Sequence, residues 1–277
     1  MKLEKEDYLD PNCVLCGKPG EIESAKPVPR DRIMAKMREY EDASDWDGAE
    51  RHLKYWLAEA EMNRDGRGEL MLRNELMGFY RKQGKKDEAL EHAGKVAALI
   101  EKMDMGGTVT AGTTWVNAGT VHEAFRDPVG GLEFFEKARD NYERNLPEGD
   151  ERLGGLYNNM ALALTSCGRY DEALDMFAAA LRVMEKQEHG EPEQAITLLN
   201  MADALEAEMG PEEAAEYTDA YLDRAAELLE REDIPRNGYY AFVCEKCAPV
   251  FGHYGYFAAE AELTKRAKEI RESRGGA

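Results

Sequence analysis

No stretch of this chain holds the 18 or more consecutive apolar residues that a bilayer-spanning helix needs. The first ten residues, MKLEKEDYLD, lack the apolar core of a secretory leader. The expected location is therefore the cytoplasm. Cysteine is scarce as well, with five in 277 residues. In a reducing compartment so few thiols point to metal ligation, redox chemistry or plain packing rather than to structural disulfides. Positive charge is in deficit: 36 Lys and Arg stand against 56 Asp and Glu, for a formal net charge of −20. Phosphate backbones and anionic lipids are bound by clustered Lys and Arg, so neither nucleic acid nor a membrane is an expected partner. A basic peptide or basic protein surface is permitted.

Catalytic signatures are missing too. The five histidines are His52, His92, His122, His189 and His253. They form no His-x-x-x-His pair and no His-Glu-x-x-His motif. His52 and His92 read as exposed or partly buried surface, and His122 as a packed core residue. GGTVTAGTT, residues 106–114, has glycines but no Gly-Lys-Ser/Thr ending and no strand before it, so it reads as a flexible link rather than a phosphate loop. No Gly-x-Ser-x-Gly elbow occurs. An enzyme is not expected.

What the sequence does contain is a repeat. DWDGAERHLKYWLAEA, KKDEALEHAGKVAAL, DPVGGLEFFEKARDNY, RYDEALDMFAAALRVM and GPEEAAEYTDAYLDRA each lead from a turn through a small residue into an amphipathic run. The small residues are Ala49, Ala89, Gly131, Ala173 and Ala214, at intervals of 40, 42, 42 and 41. A sixth copy follows near Ala259. Most copies are preceded by a second run with apolar residues at three- and four-residue spacing, such as NELMGFYRKQG, WVNAGTVHEAF and YNNMALALTSCG. The unit is helix, tight turn, helix. A small residue at the anchor lets two helix backbones approach, which is why Gly131 can stand there despite its poor helix propensity.

These residues resemble the tetratricopeptide repeat family. Trp115, Ala118, Gly119 and Phe135 match its pattern in the third copy, and Ala161, Gly168, Tyr170, Ala173 and Phe177 in the fourth. Leu76, Tyr80, Gly84 and Ala89 do so in the second. The period of about 42 is longer than the family's usual 34 and resembles its kinesin-light-chain-like subgroup. The resemblance implies an all-α, right-handed superhelical solenoid of about six helix-turn-helix repeats. They fall near residues 30–63, 70–103, 112–145, 154–187, 195–228 and 239–272. An extended tail, residues 1–29, precedes them, and a short tail, residues 273–277, follows. It also implies a protein-interaction scaffold that binds a peptide in a concave groove lined by the first helices.

Fourteen residues before the second to fifth anchors stand Glu75, Asn117, Asn159 and Asn200, with Asn74 and Asn158 one position earlier in their repeats. A carboxamide carries donor and acceptor, so a row of them can pair with an extended peptide backbone of any sequence. In the resembled subgroup an Asn ladder does this, which makes Asn117, Asn159 and Asn200 the expected peptide contacts, with Asn158, Asn74 and Arg81 beside them. The competing role is structural, with Asn bonding neighbouring helices. Arg81 and Lys82 near the second repeat, and Asp203 and Glu206 near the fifth, suggest ends of opposite sign.

Two Cys-x-x-Cys pairs remain: Cys13 and Cys16 in NCVLCGKPG, and Cys244 and Cys247 in CEKCAP. Four thiolates suit a tetrahedral zinc site. The pairs are 228 residues apart rather than the usual 15 to 20. The segment from Cys16 to Arg30 could reach on the order of 45 Å at about 3.3 Å per residue. Five helix-packing steps span roughly 50 Å. The tail could thus meet the last repeat of its own chain, or of a second copy in a homodimer. Pro249 is expected to kink or break the helix there. A zinc-regulated or redox-regulated protein, its groove gated by the two pairs, is the alternative function. The competing readings are buried packing of Cys244 and Cys247, and a separate metal or redox pair, or a disordered tail, at Cys13 and Cys16.

Overall fold

The small-residue anchors sit where helices press together. Ala49, Ala89, Ala173 and Ala214 are fully buried, and Gly131 is buried with them. A Cβ at Gly131 would lie 3.2 Å from the Gly119 carbonyl oxygen, so the two helix backbones come close at this point. The computed structural model describes residues 26–275. The expected tail as far as residue 25, with Cys13 and Cys16, lies outside the described residues. Among the described residues there are twelve α-helices and no strand, paired as six hairpins, an all-α repeat solenoid architecture.

The chain divides at residue 145 into two units. The first holds α1 (Arg30–Asp42), α2 (Trp46–Met62), α3 (Gly66–Lys82), α4 (Lys86–Lys102), α5 (Val109–Ala124) and α6 (Pro128–Asn145). The second holds α7 (Glu151–Ser166), α8 (Tyr170–Met184), α9 (Glu191–Met209), α10 (Pro211–Glu230), α11 (Gly238–His253) and α12 (Phe257–Gly275). In each unit every helix packs against its hairpin partner, and first helices also meet one another: α3 touches α5, and α9 touches both α7 and α11. The first unit's core is built on Leu53, Leu72, Leu76, Met77 and Tyr80, and the second's on Leu199, Leu222, Tyr240, Val243 and Phe251.

The turns repeat as closely as the helices. At the end of α1, Ser44 N–H donates to Glu41 O and Asp45 N–H to Tyr40 O. The same two bonds recur after α2, α3, α4, α5, α7 and α11. They satisfy carbonyls that a helix end would leave orphaned, and they require a left-handed residue between them. Gly84, Gly168 and Gly255 supply it without strain, whereas Ser44, Arg64, Asp104 and Arg126 adopt it at φ of 52° to 61°. The following helix is then capped by its own side chain in several places. Asp45 and Asp65 accept from Gly48 N–H and Gly68 N–H. Asp65 also accepts from Val28 N–H at 2.9 Å, which pins the entry to α1 against the start of α3.

Three expectations change. GGTVTAGTT is not a link: α5 begins at Val109, capped by Thr108, and only the residues before it form the loop. Buried Asn141 holds that loop by donating to Gly106 O and Thr108 O. His92 is not surface. It is 8% exposed and stacked on Tyr80, with ring centroids 5.6 Å apart. Finally, α11 runs unbroken through Pro249. The proline sits one turn from the helix end, on the exposed side, so it removes only one late hydrogen bond.

Candidate functional site

The Asn positions fall on first helices, and they are engaged in the same way in both units. In the first, Asn117 Nδ2 on α5 donates to Asn74 Oδ1 on α3 at 2.9 Å. Asn74 Nδ2 in turn donates to Leu70 O and to Thr114 Oγ1. In the second, Asn200 Nδ2 on α9 donates to Asn158 Oδ1 on α7 at 3.1 Å. The Thr197 hydroxyl lies 3.2 Å from the same oxygen and 2.9 Å from Glu193 O, sharing its one proton between them. The recurring device is one Asn facing a Thr-x-x-Asn on the next first helix, one turn apart on the same face. Sequence reasoning found the asparagines but missed Thr114 and Thr197. The signal was present in TWVN and TLLN, which end at equivalent positions of their repeats.

The expected site residues therefore separate into roles. Asn74 and Asn158 are half-buried acceptors of a bridge between repeats. Asn117, exposed, and Asn200, half-buried, give one amide proton to that bridge. Asn159 is half-buried next to the bridge, with no hydrogen bond to its side chain among the described residues. Glu75 occupies the ladder position on α3. Burial holds its carboxyl above the usual range, and the charge of Glu41 adds to this. Arg81 and Lys82 are exposed in the last turn of α3.

Beyond Asn200 the same helix presents Asp203 and Glu206 towards α11. Tyr254 Oη donates to Asp203 Oδ1 at 3.1 Å, and His253 Nε2 lies 3.2 Å from Glu206 Oε1. Loss of water around the Asp203 carboxyl raises its pKa, against the phenol's hydrogen bond. Two rings of α11, Tyr239 and Phe242, are exposed with centroids 6.1 Å apart.

Cys244 and Cys247 share one face of α11, and that face is the core. They are 0% and 1% exposed, among Tyr240, Val243 and Phe251. Burial pushes the thiols up to about 11 and about 12, which disfavours the thiolates that metals bind. Among the described residues, no group of three or more His, Cys, Asp and Glu side chains is arranged to hold a metal ion. A four-thiolate set would depend on Cys13 and Cys16, outside the described residues. Nor is any described helix long and apolar enough to cross a membrane.

Residues 152–231 match the tetratricopeptide repeat family. No curated protein matches the sequence. Among solved structures, the chain is similar to BtubC (BKLC) from P. vanneervenii, at 18% identity and a TM-score of 0.64, over 75% of this chain and 84% of that one. It is similar to the nearly identical TPR-like repeats of a putative kinesin light chain from Podosopora anserina, at 16% identity and a TM-score of 0.53, over 74% and 96%. NprR in complex with its cognate peptide NprX matches at 16% identity and a TM-score of 0.54, over 85% of this chain and 65% of that one. At these identities the likeness is one of fold.

Proposed function

We propose that this chain of tetratricopeptide repeats is a protein-interaction scaffold whose first-helix faces bind an extended peptide or partner segment. The observation that carries the reading is the Thr-x-x-Asn bridge found in both units. It takes one amide proton of Asn117 and of Asn200, and so holds each carboxamide in one orientation. One N–H and one C=O remain on each, which is the complement of a peptide unit. Fixing these groups before a ligand arrives lowers the ordering cost of binding. Asn159, uncommitted beside the second bridge, adds a further carboxamide. The structural role of the Asn row and its ligand role are then the same device: one end of each side chain bridges, the other recognises. NprR, similar in fold, has a peptide as its ligand.

The experiment is selection of a randomised decapeptide library on the full chain, followed by calorimetry with the enriched peptides. Asn159→Ala is the most direct variant, because it breaks no described bond. It should weaken every selected peptide by roughly 0.5–1.5 kcal/mol, one neutral hydrogen bond, with the melting temperature unchanged. Asn200→Ala should weaken binding more and also lower stability, since it opens the bridge to Asn158. Unaltered affinity in both variants would assign the asparagines to packing alone.

A further inference from the structure

Most of the arginines described in the second unit lie beside acids. Arg152 pairs with Asp150, Arg169 with Glu172, Arg231 with Glu191 and Asp233, Arg266 with Glu230 and Glu262, and Arg271 with Glu245. The acids on the exposed face of α9 are treated differently. Asp203 accepts from the neutral phenol of Tyr254, and Glu206 faces the imidazole of His253 and the same phenol. No Lys or Arg pairs with either among the described residues. Both sit on the turns that follow Asn200, at steps of three residues, so they continue the face on which the Asn200 carboxamide is held. With acids 20 in excess of Lys and Arg over the chain, these two carboxylates are left without a Lys or Arg.

Resting on the peptide-binding reading, we infer that the α9–α11 face selects extended peptides carrying arginine or lysine next to the backbone segment held by Asn200. The side chain's charged end meets Asp203 and Glu206. Charge complementarity and position both favour this occupant over an acidic or purely apolar peptide. A guanidinium can donate to the second oxygen of Asp203 while Tyr254 keeps the first.

The probe is an arginine-containing decapeptide from the same library, compared with its analogue in which citrulline, a neutral isostere, replaces arginine. On the wild-type chain the citrulline analogue should bind about 10-fold more weakly, the loss expected for one charge-assisted hydrogen bond. Asp203→Asn should remove most of that difference, with Glu206 holding the remainder, whereas Asp203→Glu should keep most of it, and both should bind the citrulline analogue as the wild type does. Library binders without enrichment in arginine or lysine, or an arginine-to-citrulline ratio near one on the wild-type chain, would overturn this inference and leave the peptide-binding reading intact. A library that yields no binder at all would overturn both. The wild-type comparison needs no variant, so it decides the question even if Asp203→Asn fails to fold.

Discussion

Alanine at Gly119 would place a methyl group 2.4 Å from Cε1 of Phe135, 2.6 Å from Cδ1 and 2.8 Å from Cζ. Carbon atoms in contact prefer about 3.5–4.0 Å, so the overlap is close to an ångström and falls on three ring atoms at once. Phe135 is fully buried and cannot swing into solvent. Either α5 and α6 separate or the ring leaves its rotamer, and overpacking of this kind costs about 1–3 kcal/mol. Removing a helical glycine returns about 1 kcal/mol, so the net change should lie between about zero and a loss of about 2 kcal/mol. The control is Gly94 in α4, where a Cβ meets no atom within 4 Å. There the same substitution should stabilise by about 1 kcal/mol, for the propensity gain is unopposed. Thermal melts followed by circular dichroism separate the two, since 1 kcal/mol corresponds to roughly 2–4 °C in a chain of this order of size. A Gly119→Ala chain stabilised as much as Gly94→Ala would refute the claim that the Phe135 ring leaves no room for a side chain at position 119.

Other outcomes follow from buried titratable groups. Burial lowers the pKa of His92 from 6.5 to about 4, with Arg73 adding to the effect. The folded chain keeps this imidazole neutral while the unfolded chain protonates it below 6.5. Its contribution is complete above pH 6.5 and is lost as pH falls towards 4. Urea midpoints should show a loss on the order of 2 kcal/mol between pH 7 and 5, reduced in His92→Gln; equal slopes in both proteins would remove His92 from the acid response. Alkylation at pH 8, resolved by peptide mass spectrometry, should modify half-exposed Cys167 well before Cys244 and Cys247, which should react only on unfolding. The proposed four-thiolate zinc set requires one zinc per chain, lost on Cys13→Ser; a metal-free chain as purified would end it.

Much of the fold could be read because the repeat writes the same constraint six times. Ala49, Ala89, Gly131, Ala173 and Ala214 announced their burial through spacing alone. The candidate site was half legible. Asn117, Asn159 and Asn200 share a register, but the register cannot say which end of a carboxamide is already bonded. That depends on a threonine one turn away and an asparagine on the preceding first helix, a three-residue relation spread over more than 40 positions. His92 misled because its hydrophilic type says little about a neighbour 12 residues earlier, Tyr80, against whose ring it stacks. Pro249 misled because a proline removes one N–H and crowds the turn before it, which weakens a helix without having to end it.

The twin-bonded turn that ends seven of the twelve helices bears on how the chain acquires its structure. Each reversal is fixed by bonds reaching back only three and five residues, so a hairpin can close without waiting for distant segments. Contacts within a unit likewise join helices adjacent or next-but-one in order. Low contact order of this kind favours rapid folding from many alternative nuclei. A nascent chain emerging from the ribosome could therefore complete one hairpin after another, each within a unit shielding its apolar stripe on the one before it, with little exposed surface left for misassembly.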